Sequence, residues 1–191
     1  LFPVVPAFSA ELGAGKFGLS FFTREPLLPI FSETGSITDN LRPSGISAVY
    51  HVTDSFALEP SILWMNSYTE DKSGSYTESD DFSLYGCSIA AFYYGNINNG
   101  LYLYAGPRLY VFYIESVYEE TGNPSETNED IGWEASAVIG LKYMFNENFA
   151  VFADLGFGFS MLKKTNDYNS NEDTDRNMKL GSSLIGISFY F

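Results

Sequence analysis

The side chains best suited to chemistry in this chain are few and widely separated. His51 is the only histidine and Cys87 the only cysteine. A histidine can act as a general base near neutral pH and activate a serine, but His51 lies beside a tight turn predicted at residues 53–55. A single cysteine excludes an internal disulfide and a cysteine-based metal cage, so Cys87 is expected to be a small apolar residue that is buried or faces lipid.

The stretch GAGKFG (13–18) matches the dinucleotide-binding pattern G-x-G-x-x-G literally. That site requires a strand before the glycines and a helix after them, whose N-terminus binds the pyrophosphate. Here the alternation of apolar residues continues through LSFF (19–22), which predicts a strand around the glycines. We therefore expect no cofactor, and we expect the glycines to let neighbouring strands curve and close.

The charge balance of the chain is strongly acidic. Asp and Glu number 24 against 10 Lys and Arg, a formal net charge of −14 at pH 7. A protein that neutralises phosphates needs a basic stripe, so this balance argues against a nucleic-acid partner. No stretch approaches the roughly 18–20 consecutive apolar residues of a membrane-spanning helix.

Period two in the hydrophobic pattern dominates from about residue 12 onwards. In FAVFADLGFGFSM (149–161), bulky apolar residues alternate with Ala, Asp, Gly and Ser. Segmentation at turn residues predicts eight strands, near 12–23, 41–52, 56–69, 81–95, 101–118, 131–146, 149–164 and 178–191. Their connections alternate between tight turns at 53–55, 96–100 and 146–148 and long polar loops at 24–40, 70–80, 119–130 and 165–177.

These features predict an all-β fold, an eight-stranded antiparallel up-and-down transmembrane β-barrel. A soluble barrel such as a lipocalin would point its apolar face inward, but the other face here is small and polar and cannot line a dry ligand cavity. The bulky face must point outward, which only lipid makes favourable. In this interpretation residues 11–191 form the barrel domain, and residues 1–10 are a signal-peptide remnant or an extended N-terminal arm.

Aromatic residues fall at both ends of the predicted strands, as two membrane interfaces would select. We expect the interfacial aromatics to be Tyr50, Tyr93, Tyr143 and Phe149 near the tight turns, with Trp64 and Trp133 near the long loops.

Charged residues on the small, polar face are predicted to point into the barrel: Lys16, Glu59, Arg108, Glu134, Lys142 and Asp154. The lumen of an eight-stranded barrel is only wide enough for side chains, and unpaired charges there would be costly. We predict salt bridges between Arg108 and Asp154, and between Glu59 and Lys16 or Lys142. The cluster could form a structural plug, or a gate that opens a narrow conductance when the pairs rearrange.

The chain resembles the small outer-membrane β-barrel family, the OmpA/OmpX-like group of Gram-negative bacteria. The resemblance covers about residues 11–191 and rests on LGAGKFGLSFF (12–22), VYHVTDSFALEPSI (49–62), LYLYAGPRLYVF (101–112) and LIGISFYF (184–191). It implies a location in the bacterial outer membrane and a C-terminal strand that the barrel-assembly machinery reads during insertion. The residues assigned to that signal are Ile185, Ile187, Phe189, Tyr190 and Phe191.

Three functions are open at this point. The leading one is a non-enzymatic structural or surface-interaction protein with a plugged polar interior, a monomer whose acidic loops contact a surface ligand or neighbouring outer-membrane lipid and lipopolysaccharide. The second is a narrow gated channel for ions or small solutes. The third, an outer-leaflet lipid-modifying enzyme, is disfavoured because barrel enzymes of this size place a His and a Ser at the long-loop end, opposite His51. We expect His51 to be an interfacial residue, with no catalytic residue, cofactor or resident metal in the chain.

Overall fold

The structure is a computed structural model that describes residues 12–26, 42–73, 76–122, 125–166, 172–179 and 182–191. This part of the chain forms nine strands, namely β1 (Phe17–Pro26), β2 (Ser44–Thr53), β3 (Phe56–Ser73), β4 (Tyr76–Asn98), β5 (Leu101–Glu120), β6 (Glu126–Asn146), β7 (Phe149–Asn166), β8 (Glu172–Lys179) and β9 (Ser182–Tyr190). Within the described residues there is no helix long and apolar enough to cross a membrane.

The strands close into a ring. Each strand from β1 to β7 pairs antiparallel with the next one. β8 pairs with residues 158–165 of β7 and β9 pairs with residues 149–155, so β8 and β9 share one position in the ring. β9 then pairs with β1. The ring therefore has eight positions, and the predicted eight-stranded up-and-down barrel is confirmed.

The seam of the ring lies between its first and last strands, as the sequence predicts. The register runs from Gly18 opposite Tyr190 to Pro26 opposite Ser182. The predicted first strand at 12–23 is wrong at its beginning, because the chain turns before Phe17. Gly15 has a φ of +82° in this turn, a conformation that glycine adopts without strain. Residues 1–11, which include the predicted N-terminal arm, lie outside the described residues.

The outward face of the barrel carries the large apolar side chains. Ile62, Ile131 and Ile185 are 58%, 61% and 58% exposed, whereas inward-facing neighbours such as Val49 and Phe92 are fully buried. This alternation follows from the pleat, because successive side chains of a strand point to opposite faces. An exposed apolar belt around a closed ring is favourable only where lipid surrounds it.

The interior differs from the small, polar one that the sequence predicts. Tyr104, Tyr110 and Phe92 are among the largest fully buried side chains, and a second apolar cluster occupies the lumen towards the long hairpins: Leu63, Leu84, Tyr110 and Ile114. The prediction is wrong because it generalises from β6 and β7, where most inward residues are small. β5, which pairs with β6, and its other neighbour β4 supply many of the bulky side chains.

Small and large residues meet as direct cross-strand pairs. A Cβ at Gly140 would lie 2.3 Å from the ring of Tyr104, its partner on β5. The same relation holds for four other pairs on the inward face, in which an aromatic ring covers a glycine of the neighbouring strand: Gly18–Tyr190, Gly45–Phe22, Gly132–Phe112 and Gly186–Phe152. The glycines thus provide the space that lets a narrow ring contain so many aromatic side chains.

Most of the described residues in two of the predicted long loops, 70–80 and 119–130, lie on strands instead. β3 and β4 stay paired up to Ser73 opposite Tyr76, and β5 and β6 stay paired up to Tyr118 opposite Glu126. The acidic residues expected in loops 70–80 and 119–130 therefore lie largely on paired strands, because the ladder continues beyond the apolar belt. Residues 27–41 and 167–171 of the other two predicted loops lie outside the described residues.

Candidate functional site

The centre of the lumen holds an ion pair between Arg108 of β5 and Asp154 of β7. Arg108 Nη1 donates to Asp154 Oδ1 at 3.2 Å and Nη2 donates to Oδ2 at 2.7 Å. The Tyr104 hydroxyl also donates to Asp154 Oδ2, at 3.0 Å. Both charged side chains are almost completely buried, and a two-pronged Arg–carboxylate pair fixes their relative orientation. The structure thus brings together these two residues from the predicted interior cluster.

A second ion pair lies nearer the long hairpins, between Arg24 of β1 and Glu134 of β6. The Arg24 guanidinium also lies 4.4 Å from the centre of the Tyr110 ring, a cation–π distance. Sequence reasoning misses Arg24 because the first strand is predicted to end at residue 23. The alternation of the strand could have identified it, because Arg24 lies four residues after the inward-facing Ser20 and therefore points into the lumen as well.

Lys142 is not in the salt bridge with Glu59 that was one predicted alternative. Its ammonium group donates to the hydroxyls of Tyr190 at 2.8 Å and Tyr94 at 3.2 Å. Glu59 instead accepts a hydrogen bond from the Ser47 hydroxyl at 2.7 Å. This alternative fails because it considered only charged partners. The hydroxyls of Tyr94 and Tyr190 lie at the same level of the lumen as Lys142 and accept its hydrogen bonds instead.

His51 lies inside the barrel rather than at the membrane interface, which corrects the expectation for this residue. It is fully buried, and its ring centre lies 5.1 Å from that of Tyr94 and 5.9 Å from that of Tyr190. The turn before β1 crosses this end of the barrel, where Leu12 is buried and its N–H donates to the Tyr102 hydroxyl. The alternation of β2 explains the burial, because His51 shares a face with Val49 and Ser47.

The long hairpins carry acidic residues in register. Asp71, Glu78 and Glu120 are direct cross-strand neighbours on β3, β4 and β5, an arrangement that repulsion between like charges disfavours. Nearby, Glu70 accepts a hydrogen bond from Lys72 and raises the pKa of that ammonium group. No group of three or more His, Cys, Asp or Glu side chains in the described ranges could hold a metal ion.

The predicted interfacial aromatics lie on the outer surface. Tyr50, Trp64, Tyr93, Trp133 and Tyr143 are exposed. Phe149 is half-buried because its ring packs between Phe145 and Phe189, with centres 5.5 and 5.4 Å away.

The residues of the predicted assembly signal divide between the two faces of β9 and the residue after it. Ile185, Ile187, Phe189 and Phe191 are exposed on the outer face. Tyr190 is buried in the lumen, where it binds Lys142. In the finished barrel the four exposed side chains are therefore accessible to another protein, but the ring of Tyr190 is not.

A closed ring with an apolar outer belt, exposed aromatic rings and buried ion pairs defines a transmembrane β-barrel protein of the outer-membrane type. The chain belongs to the outer membrane protein beta-barrel domain family, whose model matches residues 7–191. Its location is accordingly the bacterial outer membrane, where such barrels have short turns on the periplasmic side and long connections on the extracellular side. The long hairpins thus point to the cell exterior.

Solved structures support the same fold. Ail, the attachment invasion locus protein of Yersinia pestis, solved in complex with the heparin analogue sucrose octasulfate, matches with a TM-score of 0.60 and 16% identity over 93% of this chain and 99% of that chain. OprG from Pseudomonas aeruginosa matches with a TM-score of 0.56 and 15% identity over 95% and 98%. Outer Membrane Protein W of E. coli matches with a TM-score of 0.53 and 15% identity over 94% of this chain and 99% of that chain. Among curated protein sequences, none matches this chain significantly.

Proposed function

We propose that the protein is a non-enzymatic surface-interaction protein, in which a plugged barrel anchors an acidic sheet above the outer membrane. The observation that carries the proposal is the unbroken pairing of β3 with β4 up to Ser73–Tyr76 and of β5 with β6 up to Tyr118–Glu126. Paired strands hold their side chains in a fixed pattern, which a flexible loop does not. The hairpins thus present a defined surface to the cell exterior.

The packing of the lumen supports a closed barrel. The Arg24–Glu134 and Arg108–Asp154 pairs lie across its interior, and aromatic side chains fill the space around them. A barrel of eight strands has an interior that side chains can fill completely. Moving either ion pair out of the way would separate buried charges, which is strongly unfavourable.

The environment of His51 argues against hydrolytic chemistry. A general base must lie within hydrogen-bond reach of the group that it activates. Neither ring nitrogen of His51 has a hydrogen-bond partner among the described residues, and the ring lies at the periplasmic end of the lumen. A lipid substrate in the outer leaflet could not reach it.

Charge indicates the class of ligand. Ail was solved with a polyanion, but a polyanion would be repelled by the row of Asp71, Glu78 and Glu120. The hairpins instead suit a cationic ligand, or lipopolysaccharide phosphates bridged by divalent cations. We propose a cationic protein segment as the ligand, because it needs no third component.

Binding to the protein in lipid nanodiscs tests this proposal. A lysine-rich peptide should bind more tightly at low than at high ionic strength, and heparin should not bind. The variant D71N/E78Q/E120Q should weaken peptide binding by about tenfold, since three exposed pairs at about 0.5 kcal/mol each contribute about 1.5 kcal/mol together. The control E147Q removes a carboxylate from the periplasmic turn and should bind as the wild type does.

Equal peptide binding by the wild type and the triple variant would contradict the surface role. Steady single-channel openings of the wild type in planar bilayers, abolished by Arg108→Ala, would favour the narrow channel instead of the plugged barrel.

A further inference from the structure

The periplasmic end of the lumen contains a group of basic and hydroxyl side chains that the proposed surface role does not use. We call it the basic cluster, and it consists of Lys16, His51, Tyr94, Lys142 and Tyr190. Lys142 is 1% exposed, and its ammonium group donates to the hydroxyls of Tyr94 and Tyr190. Its ammonium charge is thus buried against neutral oxygen atoms.

His51 faces the same cluster with both ring nitrogens unpartnered. The imidazole is fully buried between the rings of Tyr94 and Tyr190. Neither Nδ1 nor Nε2 has a hydrogen-bond partner among the described residues. A neutral imidazole always carries one N–H donor, and a buried polar group without a partner is destabilising. The ring therefore has a donor available for a ligand inside the barrel.

Donors outnumber acceptors in the basic cluster. The ammonium group of Lys142 has three N–H donors, and the two tyrosine hydroxyls accept two of them. Each hydroxyl oxygen that accepts from Lys142 still has its own hydrogen to donate. The cluster therefore offers an N–H of Lys142, an N–H of His51 and two tyrosine O–H groups.

The charged groups around the basic cluster also favour an anion. Lys16 Nζ lies 5.8 Å from the centre of the Tyr190 ring, so a second ammonium group faces the cluster. Of the acidic groups in the lower lumen, Glu59 binds the Ser47 hydroxyl and Asp154 binds Arg108. Among the described residues, neither of these carboxylates is hydrogen-bonded to Lys142, whose partners are two neutral hydroxyls. In a low-dielectric interior a buried ammonium charge with neutral partners favours an anion beside it.

We propose that the basic cluster binds a small inorganic anion of the size of chloride, held by Lys142 Nζ, an N–H of His51 and the hydroxyls of Tyr94 and Tyr190. The site lies at the opposite end of the barrel from the hairpins, so it is independent of the surface ligand. The interior of an eight-stranded barrel is only wide enough for side chains. An organic anion such as gluconate is therefore too large for the site, and a monatomic anion is the ligand proposed.

Bromide replaces chloride and can be located by its anomalous scattering. Crystals of the wild-type barrel soaked in sodium bromide should show one anomalous peak within hydrogen-bond distance of Lys142 Nζ. In solution, the urea midpoint of unfolding should be higher in sodium chloride than in sodium gluconate at the same ionic strength, and should rise with the logarithm of the chloride concentration.

Lys142→Met removes the charge with little change in shape and should abolish the bromide peak and the chloride dependence. Lys72→Met is the matched control, because it removes an exposed ammonium group from an extracellular hairpin and should retain both. If Lys142→Met does not fold, the wild-type measurements decide alone. The absence of an anomalous peak at the basic cluster, together with equal unfolding midpoints in chloride and gluconate, would overturn the proposal. This outcome is separate from the result of the peptide-binding test on the hairpins.

Discussion

Replacing Asp154 with Asn would leave the Arg108 guanidinium without an anionic partner in the middle of the lumen. Removing one member of a buried ion pair typically costs about 3–5 kcal/mol, because the other charge stays buried and uncompensated. We therefore expect Asp154→Asn to lower the free energy of unfolding by about that amount. Urea titration of the refolded barrel, followed by its heat-modifiable mobility on a gel, measures the change.

The double variant R108M/D154L distinguishes loss of the pair from loss of packing. Met and Leu approximate the shapes of Arg and Asp and leave no uncompensated charge, so the double variant should be more stable than Asp154→Asn. A double variant as unstable as the single one would show that the charges themselves are not the cause.

Sequence reasoning could find Arg108 and Asp154 because alternation gives the facing of a residue, and distance from a turn gives its height. The same reasoning could not find the partners of Lys142, since a tyrosine hydroxyl looks like any other interfacial group in a sequence. It also placed His51 at the interface, because nearness to a turn was given more weight than its position in the alternation of β2. A buried contact depends on which walls face each other across the lumen, and local sequence does not encode this.

At the scale of strands, the pairing of glycines with aromatic rings can be tested at Gly140. A Cβ there would lie 2.3 Å from the Tyr104 ring and 2.7 Å from Asp154 Cβ. Overpacking of this kind typically costs about 1–3 kcal/mol, so Gly140→Ala should destabilise the barrel by that amount. Unfolding in urea measures it, and the double variant G140A/Y104L should recover part of the loss by removing the ring.

Gly95→Ala is the matched control for this prediction. Gly95 also lies in a strand, but the nearest atom to an added Cβ is the Leu103 carbonyl oxygen at 4.0 Å. A substitution there should change the free energy of unfolding little. Equal destabilisation at both positions would indicate a general effect of losing strand glycines, not the contact with Tyr104.

The sequence predicts the strands well within the apolar belt and less well in the hairpins that extend beyond the belt. Inside the belt, alternating bulky and small residues mark each strand. In residues 70–80 and 119–130 the residues are acidic and polar on both faces, so the sequence pattern resembles a loop. Pairing continues there because each strand is already aligned with its neighbour when it leaves the belt, and adding one more cross-strand pair is easier than starting a new ladder.

At the scale of the whole barrel, we propose that the exposed side chains of β9 and Phe191 are the signal for assembly, and Phe191→Ala tests this. Phe191 is 74% exposed, and its N–H donates to the Phe17 carbonyl at the seam. Loss of the ring should lower the amount of barrel in the outer membrane of cells, while refolding of the purified chain in detergent should be little affected. Quantitative blotting of membrane fractions measures the first effect.

Phe145→Ala provides the comparison, because Phe145 is also an exposed ring at the periplasmic end but lies on β6. If the two variants accumulate to the same level, the effect belongs to aromatic anchoring in general and the signal is not in the last strand.

The ion pair near the extracellular hairpins also has a consequence for the order of events in assembly. Arg24 and Glu134 are 110 residues apart in sequence, and the pairing of β1 with β9 is the one that joins the two ends of the ring. Closing such a long loop is entropically costly, so this contact belongs among the last to form. A chain caught before closure would keep the guanidinium and the carboxylate apart in water. The environment of Glu134 therefore reports whether an individual barrel has finished closing, so the pair is a built-in reporter of the final step of insertion.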